Sequence, residues 1–203
     1  MAKETPAIFS IGHSNHSLET FLELLKLHHI EMVVDVRSQP YGWQEHFNRE
    51  IISAALKSAA LDYLFMGREL GARREEAECY DEGVAIYEKI AELPAFQEGL
   101  KQLRRLAQSR CPAIMCAEKE PLDCHRAILI CRRLRDFDLP IKHILADGAL
   151  EDHAVMEKRL VRKMGIQRTL FEPNLTNEEI LCRAYEQRGR EIAFRYDPEE
   201  IMP

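Results

Sequence analysis

The sequence has no long hydrophobic run, and this absence argues against a membrane-spanning segment. No stretch approaches the roughly 18 consecutive apolar residues that a transmembrane helix requires. The first residues, Met1 to Pro6, are not followed by the apolar core of a secretory signal. We therefore expect a cytoplasmic protein that does not bind a membrane.

The sequence also lacks an excess of positive charge, internal repeats and low-complexity segments. Its formal net charge is −6, so the surface as a whole is not a coat for nucleic acid. Lysine and arginine do cluster at 126–135 and 158–168, which leaves room for a local basic patch. An anionic small molecule or a nucleic acid therefore stays among the expected partners.

Cysteine is present in moderate number, with six residues in the chain. Without an export signal, a reducing compartment is expected, in which these cysteines stay free. Free cysteines of this kind serve in core packing, as metal ligands or as catalytic groups.

Short apolar runs alternate with longer amphipathic ones, which predicts strands that alternate with helices. Strands are predicted at 7–11, 32–36, 63–66, 112–116 and 141–145. Helices are predicted at 17–29, 49–60, 80–92, 94–109, 124–135 and 151–164, and from Thr176 onward. This alternation favours a three-layer α/β fold, with a mostly parallel sheet of about five strands and helices on both faces. We expect one domain over 1–203, with 165–203 as a C-terminal extension packed on it.

Polar residues follow the predicted strands where each strand ends. They are His13 and Ser14 after the first strand, Asp35 and Arg37 at the end of the second, Arg68 and Glu69 after the third, Cys116, Glu118 and Lys119 after the fourth, and Asp147 after the fifth. The carboxyl ends of parallel strands meet at one edge of a sheet, where ligands of such folds bind. The sequence therefore predicts a functional site at this edge.

The segment from Cys116 to Arg126 carries most of the predicted chemistry. A helix that begins near Cys124 would stabilise a thiolate through its free N–H groups, and His125 and Arg126 would add positive charge. Cys124 is thus a candidate nucleophile or anion-site thiol, and Cys116 is a second thiol able to pair with it. Glu118 and Lys119 are candidate substrate-binding residues. Glu118 is also a candidate acid or base, although a solvated carboxylate is the commoner role for a loop residue of this kind.

Two other interpretations of this segment remain open. Both cysteines can be buried packing residues. Alternatively, they bind zinc together with His125, and His13 or Asp35 supplies a fourth ligand, although the spacing is wider than in most zinc motifs. We therefore assign no metal to the predicted site at this point.

Two further clusters extend the predicted site. In the first, Gly12 allows a sharp turn and His13 is a candidate general base. Ser14 and Asn15 bind a ligand or, together with Ser17, cap the next helix, for which Ser17 is the predicted N-cap. The second is Asp35 with Arg37, which strand alternation puts on one side of the sheet. Arg37, like Arg126, is expected to hold an anionic group, whereas a purely structural ion pair is the alternative.

Four stretches of the sequence carry a family resemblance. They are Ser-Ile-Gly-His-Ser-Asn at 10–15, Val-Asp-Val-Arg-Ser-Gln-Pro at 34–40, Gly-Arg-Glu-Leu-Gly at 67–71 and Cys-Ala-Glu-Lys-Glu-Pro-Leu-Asp-Cys-His-Arg at 116–126. In this order they resemble the bacterial domain of unknown function 488. The resemblance implies a compact α/β domain with a site that contains Cys and His. It brings no agreed activity or substrate.

A short segment adds a partner hypothesis. Gln167-Arg-Thr-Leu-Phe171 resembles the Gln-x-x-Leu-Phe peptide that docks bacterial repair and replication proteins on the sliding clamp. In that mode Leu170 and Phe171 would fill an apolar pocket and Gln167 would fix the register. The alternative is that both apolar residues pack on the core.

The sequence thus supports three hypotheses. The first is an enzyme whose Cys124 or Cys116 attacks an anionic substrate of nucleotide or nucleic-acid type, while His13 or His125 moves protons. The second is a non-catalytic module recruited to DNA through 167–171, and the third is a structural zinc site. The sequence alone identifies neither the cofactor, nor the substrate, nor the reaction.

Overall fold

The computed structural model describes residues 6–168 and 172–196 and is built around one six-stranded sheet. The strands of this sheet are β1 (Ile8–Gly12), β2 (Met32–Asp35), β3 (Asp62–Phe65), β6 (Pro112–Cys116), β7 (Ile141–Ile144) and β8 (Leu150–Asp152). A separate hairpin consists of β4 (Tyr80–Asp81) and β5 (Val84–Ala85).

Helices occupy both faces of the sheet. The α-helices are α1 (Leu18–Leu27), α2 (Arg49–Ser58), α3 (Gly67–Leu70), α4 (Tyr87–Glu92), α5 (Pro94–Ala107), α6 (Arg132–Leu134), α7 (His153–Met164) and α8 (Asn177–Ile192). A π-helical segment, Arg126–Cys131, leads directly into α6. Short 3₁₀ turns lie at Glu45–Phe47, Ala77–Cys79, Pro121–Asp123 and Arg135–Phe137.

The strands lie in the order β3-β2-β6-β1-β7-β8, and all neighbours are parallel except the β7–β8 pair. This confirms the predicted three-layer α/β fold with a mostly parallel sheet. The five predicted strands were found because parallel strands are buried on both faces and therefore read as continuous apolar runs. The order brings the carboxyl ends of β1, β2 and β6 side by side.

Two hydrophobic clusters flank the sheet. One lies under α1 and α2 and contains Phe21, Leu25 and Ile52. The larger one lies under the remaining helices, including α5, α7 and α8. Helix α8 begins with a capping box, in which the Thr176 hydroxyl accepts from the Glu179 N–H, and this confirms the helix start predicted at Thr176.

The single helix predicted at 80–92 is wrong in its first half. The chain forms the β4–β5 hairpin there and becomes helical only at Tyr87. Glu82 and Gly83 both have positive φ, of 48° and 75°, which is turn rather than helix geometry. The helix predicted at 151–164 likewise begins later, at His153, because Leu150–Asp152 pairs with β7 as an antiparallel edge strand.

The helix predicted at 124–135 exists, but it is not a regular α-helix. Its first six residues, Arg126–Cys131, are wound as a π-helix and are all buried. Such wide turns are rare and occur frequently at functional sites. Within the described ranges, no helix is both long and apolar enough to cross a lipid bilayer.

Candidate functional site

The loops that follow β1 and β6 are hydrogen-bonded to each other at the carboxyl edge of the sheet. The His13 N–H donates to the Cys116 carbonyl at 2.9 Å, and a second backbone hydrogen bond of 2.8 Å follows one residue later in both loops. A Cβ added to Gly12 would stand 1.9 Å from the Glu118 carbonyl oxygen. Gly12 is therefore needed for this close approach of two backbones.

The Arg126 side chain stabilises the loop that follows β6, which we call the β6 loop, from the side opposite the β1 loop. It is fully buried, and its Nη1 and Nη2 donate to the Glu118 and Lys119 carbonyls at 2.6 and 3.2 Å. Its Nε has no hydrogen-bond partner in the part of the chain that the structure describes. Arg126 thus stabilises the loop between the two cysteines, and the substrate-binding role predicted for it stays a prediction.

Cys116, Glu118, Cys124 and His125 form a compact group at the end of β6. The four potential ligand atoms all lie within 4.8 Å of one another. The His125 Nδ1 lies 3.6 Å from the Cys116 Sγ and 4.0 Å from the Cys124 Sγ. The Cys124 thiol donates to a Glu118 carboxylate oxygen at 2.9 Å. We call these four residues the Cys-His-Glu cluster.

The orientation of the His125 ring is fixed by the neighbouring strand. Its Nε2 lies 3.1 Å from the Val36 carbonyl oxygen, just after β2. A carbonyl oxygen can only accept a hydrogen bond, so Nε2 carries a proton. In the neutral ring, the lone pair of Nδ1 therefore points toward the two sulfur atoms.

The close packing of the cluster shifts the pKa values of its members in opposite directions. Burial raises the pKa of the Cys124 thiol, but a hydrogen bond from Cys116 and the charge of Arg126 outweigh it and lower that pKa well below its usual range. The hydrogen bond with Cys124, together with burial, raises the pKa of Cys116. Burial and the Cys124 charge also raise the pKa of Glu118. The cluster therefore favours one negative charge and opposes further ones.

Asp35, Arg37 and His13 form a second polar group beside the cluster. Arg37 donates twice to Asp35, at 2.9 and 2.6 Å, and once to the Phe47 carbonyl at 2.9 Å. Its Nη1 lies 3.3 Å from the His13 Nε2, and the His13 ring stacks on Phe47. Burial and the Arg37 charge lower the pKa of His13 to about 4, so the ring is neutral at pH 7.

This second group is held together by contacts within the protein. The His13 Nδ1 lies 3.0 Å from the Ser14 carbonyl, so both ring nitrogens have partners. Both residues that the zinc hypothesis named as a fourth ligand, His13 and Asp35, contact Arg37, and the carboxylate grouped with the two thiols and His125 is that of Glu118. The roles in catalysis and anion binding predicted for His13 and Arg37 stay predictions.

A cleft of about 290 Å³ opens beside the cluster. Cys116, Glu118 and His125 lie in its wall. The rest of the lining is Arg37, Ser38, Gln39, Tyr41, Ala72, Arg73, Tyr87, Ala117, Asp123, Ile192 and Phe194. The cleft is therefore built from five separate parts of the chain, including the end of α8 and the residues that follow it.

The remaining predicted residues lie further out. Asn15 and Lys119 are exposed, and the Ser14 hydroxyl donates to the Asn15 side chain at 3.1 Å. Ser17, rather than Ser14 or Asn15, caps α1 through a hydrogen bond from the Thr20 N–H. Gln167 is exposed, whereas Leu170 and Phe171 lie outside the described residues, so docking on the clamp stays a prediction.

Sequence reasoning missed Tyr87, Arg73 and Phe194 as cleft residues. Tyr87 was predicted inside a helix that begins at residue 80, and no motif in the neighbouring sequence indicates a functional residue there. Arg73 lies in a loop noted for its charge, and it donates to Gln39 at 2.8 Å while stacking on Phe194. These residues reach the cleft through contacts that are distant in sequence, which local patterns do not encode.

The fold and the site define an α/β protein with a thiol–imidazole–carboxylate cluster at the carboxyl end of a parallel sheet. The chain belongs to the family described as domain of unknown function DUF488, whose family model matches residues 17–132. This confirms the resemblance seen in the four sequence motifs. No curated protein and no solved structure is significantly similar to the chain.

Proposed function

We propose that the protein is a zinc-dependent hydrolase, in which Cys116, Cys124 and His125 bind the ion. The grouping of the cluster's ligand atoms within 4.8 Å carries this proposal. With Zn–S of about 2.3 Å and Zn–N of about 2.0 Å, tetrahedral sulfur and nitrogen ligands lie about 3.6 Å apart. The separations of 3.6 and 4.0 Å between His125 and the two sulfurs agree with that requirement.

The hydrogen bond from His125 to Val36 supports metal binding. Histidines that bind metals almost always donate their other ring N–H to a carbonyl or carboxylate, which sets the tautomer and the ring orientation. His125 does so through Nε2 at 3.1 Å, and this leaves Nδ1 as the ligand atom.

The negative charges of the cluster also favour a bound cation. Two thiols and a carboxylate are packed together, and each negative charge raises the pKa of its neighbours. A divalent cation offsets this repulsion and deprotonates both thiols, because thiolates rather than thiols are the ligands. Arg126 is buried beside the cluster, but its Nη1 and Nη2 donate to the carbonyls of the β6 loop and not to the carboxylate of Glu118.

A catalytic site fits the cluster better than a purely structural one. Structural zinc sites are closed by four Cys or His ligands, whereas catalytic sites have three protein ligands and one position for water or substrate. The cluster offers two cysteines and one histidine, and its fourth member is the carboxylate of Glu118 in the cleft wall.

Glu118 is the residue placed to move protons. Zinc lowers the pKa of a bound water to about 7, and a neighbouring carboxylate can accept the proton as the hydroxide attacks. Glu118 lines the cleft, and its carboxylate accepts a hydrogen bond from the Cys124 thiol at 2.9 Å, so it lies beside the proposed ligands and within reach of a bound substrate.

One specific observation favours a second candidate, a thiol enzyme without metal. The Arg126 backbone N–H donates to the Cys124 Sγ at 3.4 Å, and the pKa of Cys124 is low. These are the features of an activated nucleophile. In that case Cys124 would be the nucleophile, and neither Cys116 nor His125 would bind zinc.

The experiment is zinc stoichiometry by mass spectrometry on the full chain, after dialysis against metal-free buffer with a reductant. We expect one zinc per chain, and an affinity loss of more than about 100-fold in Cys116→Ser, Cys124→Ser and His125→Ala. Cys182→Ser is the matched control, because Cys182 lies on α8 outside the cluster. A chain that binds no zinc, or variants that bind it as the parent does, would contradict the proposal.

A further inference from the structure

We infer that the cleft binds a planar heterocycle that carries an exocyclic amine, of nucleobase size, and that the site replaces this amine by a carbonyl oxygen. This inference rests on the proposed zinc-dependent hydrolysis and names its substrate class. Three observations support it: the order of the cluster residues along the β6 loop, the side chains that line the cleft, and the positions of the two arginines in the cleft.

The β6 loop presents a ligand, a base and two further ligands within ten residues. Cys116 is followed two residues later by Glu118, and then by Cys124 and His125. A zinc ion held by one histidine and two cysteines, beside a glutamate that is not a ligand, is the chemical combination that hydrolyses amino groups on nucleobases. The similarity concerns the set of groups and not the fold or the spacing of the later ligands.

The cleft has the walls that a small aromatic ring requires. Its volume of about 290 Å³ lies just below the range of small-molecule pockets, about 300 to 1,000 Å³, which favours a small ligand. The rings of Tyr41, Tyr87 and Phe194 contribute to its lining. Ser38 and Gln39 add polar groups to the same wall, which suits a ligand with apolar faces and polar edges.

Tyr87 provides a donor for the edge of such a ring. The residue is 4% exposed and lies in the wall of the cleft. Burial and the charges of Cys124 and Cys116 raise the pKa of Tyr87, so the phenol remains a neutral donor. A ring nitrogen or carbonyl of the ligand would accept a hydrogen bond from this hydroxyl.

The two arginines of the cleft indicate where the phosphate of a bound nucleotide would lie. Beside the cluster, Arg37 binds Asp35 and Phe47 with its own donors. Arg73 is exposed, donates to Gln39 and stacks on Phe194. We therefore expect the nucleobase to enter toward the Cys-His-Glu cluster, and the sugar and phosphate of a nucleotide to lie near Arg73.

The reaction balances with water as the only co-reactant. A zinc ion held by Cys116, Cys124 and His125 would supply an activated water. Glu118 would accept one proton from this water and pass it to the ring nitrogen, while the water oxygen bonds to the adjacent ring carbon that bears the amine. Glu118 would then carry the remaining hydroxyl proton to the amine, the C–N bond would break and ammonia would leave, so that a carbonyl replaces the amine without oxidation or reduction.

The test is ammonia release by the zinc-loaded full chain from cytosine, adenine and guanine, and from their nucleosides and 5′-monophosphates. We expect release from at least one of these compounds. Glu118→Gln should keep its zinc and lose about 100- to 10,000-fold in rate. Tyr87→Phe should keep its zinc and raise KM, and Arg73→Ala should raise KM for the monophosphate more than for the free base.

The outcomes separate this inference from the proposed function. A chain that binds one zinc but releases no ammonia from any compound overturns the substrate class and leaves zinc-dependent hydrolysis standing. A chain that binds no zinc overturns both. Release that persists in Glu118→Gln at the parent rate would also overturn the inference, because the amine would then leave without the proposed base.

Discussion

The Nε2 of His125 lies 3.1 Å from the carbonyl oxygen of Val36, and this hydrogen bond links the end of β2 to the start of the π-helical segment. His125 follows the β6 loop, so its ring is held between two neighbouring strands of the sheet. The sheet itself therefore sets the direction of the Nδ1 lone pair toward the two cysteines.

Zinc should protect two of the cysteines from alkylation. In zinc-free protein we expect iodoacetamide to modify Cys124 or Cys116 after brief treatment, with Cys124 reactive below the usual thiol pKa of about 8.5. Loading with zinc should slow modification of both at least about tenfold. Mass spectrometry of the peptides gives each rate, with Cys182 as the internal control, and equal rates with and without zinc would contradict a shared metal site.

Gly12→Ala should destabilise the fold. Its Cβ would stand 1.9 Å from the Glu118 carbonyl oxygen, and both atoms belong to backbones that cannot simply rotate away. We expect a loss of about 1 to 3 kcal/mol in the free energy of unfolding, measured by denaturant titration. Gly42→Ala is the matched control, because nothing lies within 4 Å of its added Cβ. Equal stability of the two variants would contradict the observed loop contact.

Arg126→Met should disorder the β6 loop while keeping most of the buried volume. The change removes the donors to the Glu118 and Lys119 carbonyls, at a cost of about 1 to 3 kcal/mol in the free energy of unfolding. We also expect weaker zinc binding, because Cys116 and Cys124 flank this loop. Competition with a coloured chelator measures the affinity, and Arg162→Ala, on the exposed face of α7, serves as control. Unchanged zinc affinity in Arg126→Met would contradict this role.

The protein should lose stability in mild acid because of a buried hydrogen-bond chain. Ser10, His143, His153 and Tyr185 are joined by contacts of 2.6, 2.9 and 3.0 Å, and Tyr185 donates onward to Glu157 at 2.9 Å. Glu157 accepts from Tyr185, so the chain runs in one direction and both imidazoles are neutral. Burial, followed by nearby charges, lowers the pKa of His143 well below its usual value and that of His153 to about 4.

The sign of this effect follows from the lowered pKa values. The neutral histidines stabilise the fold fully above the unfolded pKa of about 6.5, and that stability falls as the pH drops from 6.5 toward 4. For His153 alone we expect a loss of about 2 kcal/mol between pH 7 and pH 5. Denaturant titrations across this range measure it. His153→Gln should flatten the profile, and an equally steep profile in that variant would contradict the assignment.

Much of the fold could be predicted, because the sheet is buried on both sides. The apolar runs at Met32–Asp35 and Pro112–Cys116 mark strands whatever packs on them. The edge strand Leu150–Asp152 and the hairpin near Gly83 are short, and their pairing depends on partners elsewhere in the chain. The π-helical winding of Arg126–Cys131 likewise leaves no periodic trace in six residues.

The proximity of the cluster residues could be predicted in part, whereas their functional role stays a prediction. Cys116, Cys124 and His125 stand in one segment, so their proximity follows from a single loop and helix start. Glu118 entered the cluster because the loop is folded back by Arg126, which spacing does not reveal. Tyr87 comes from a helix on the far side of the hairpin and is brought to the cleft by tertiary packing alone.

The most direct test of the zinc centre is X-ray absorption at the zinc edge of the loaded full chain. Binding by Cys116, Cys124 and His125 predicts two sulfur ligands at about 2.3 Å and one imidazole nitrogen at about 2.0 Å, with oxygen completing the shell. Cys116→Ser should remove one sulfur from that shell. A shell without sulfur, or one that keeps both sulfurs in Cys116→Ser, would contradict zinc binding by this cluster.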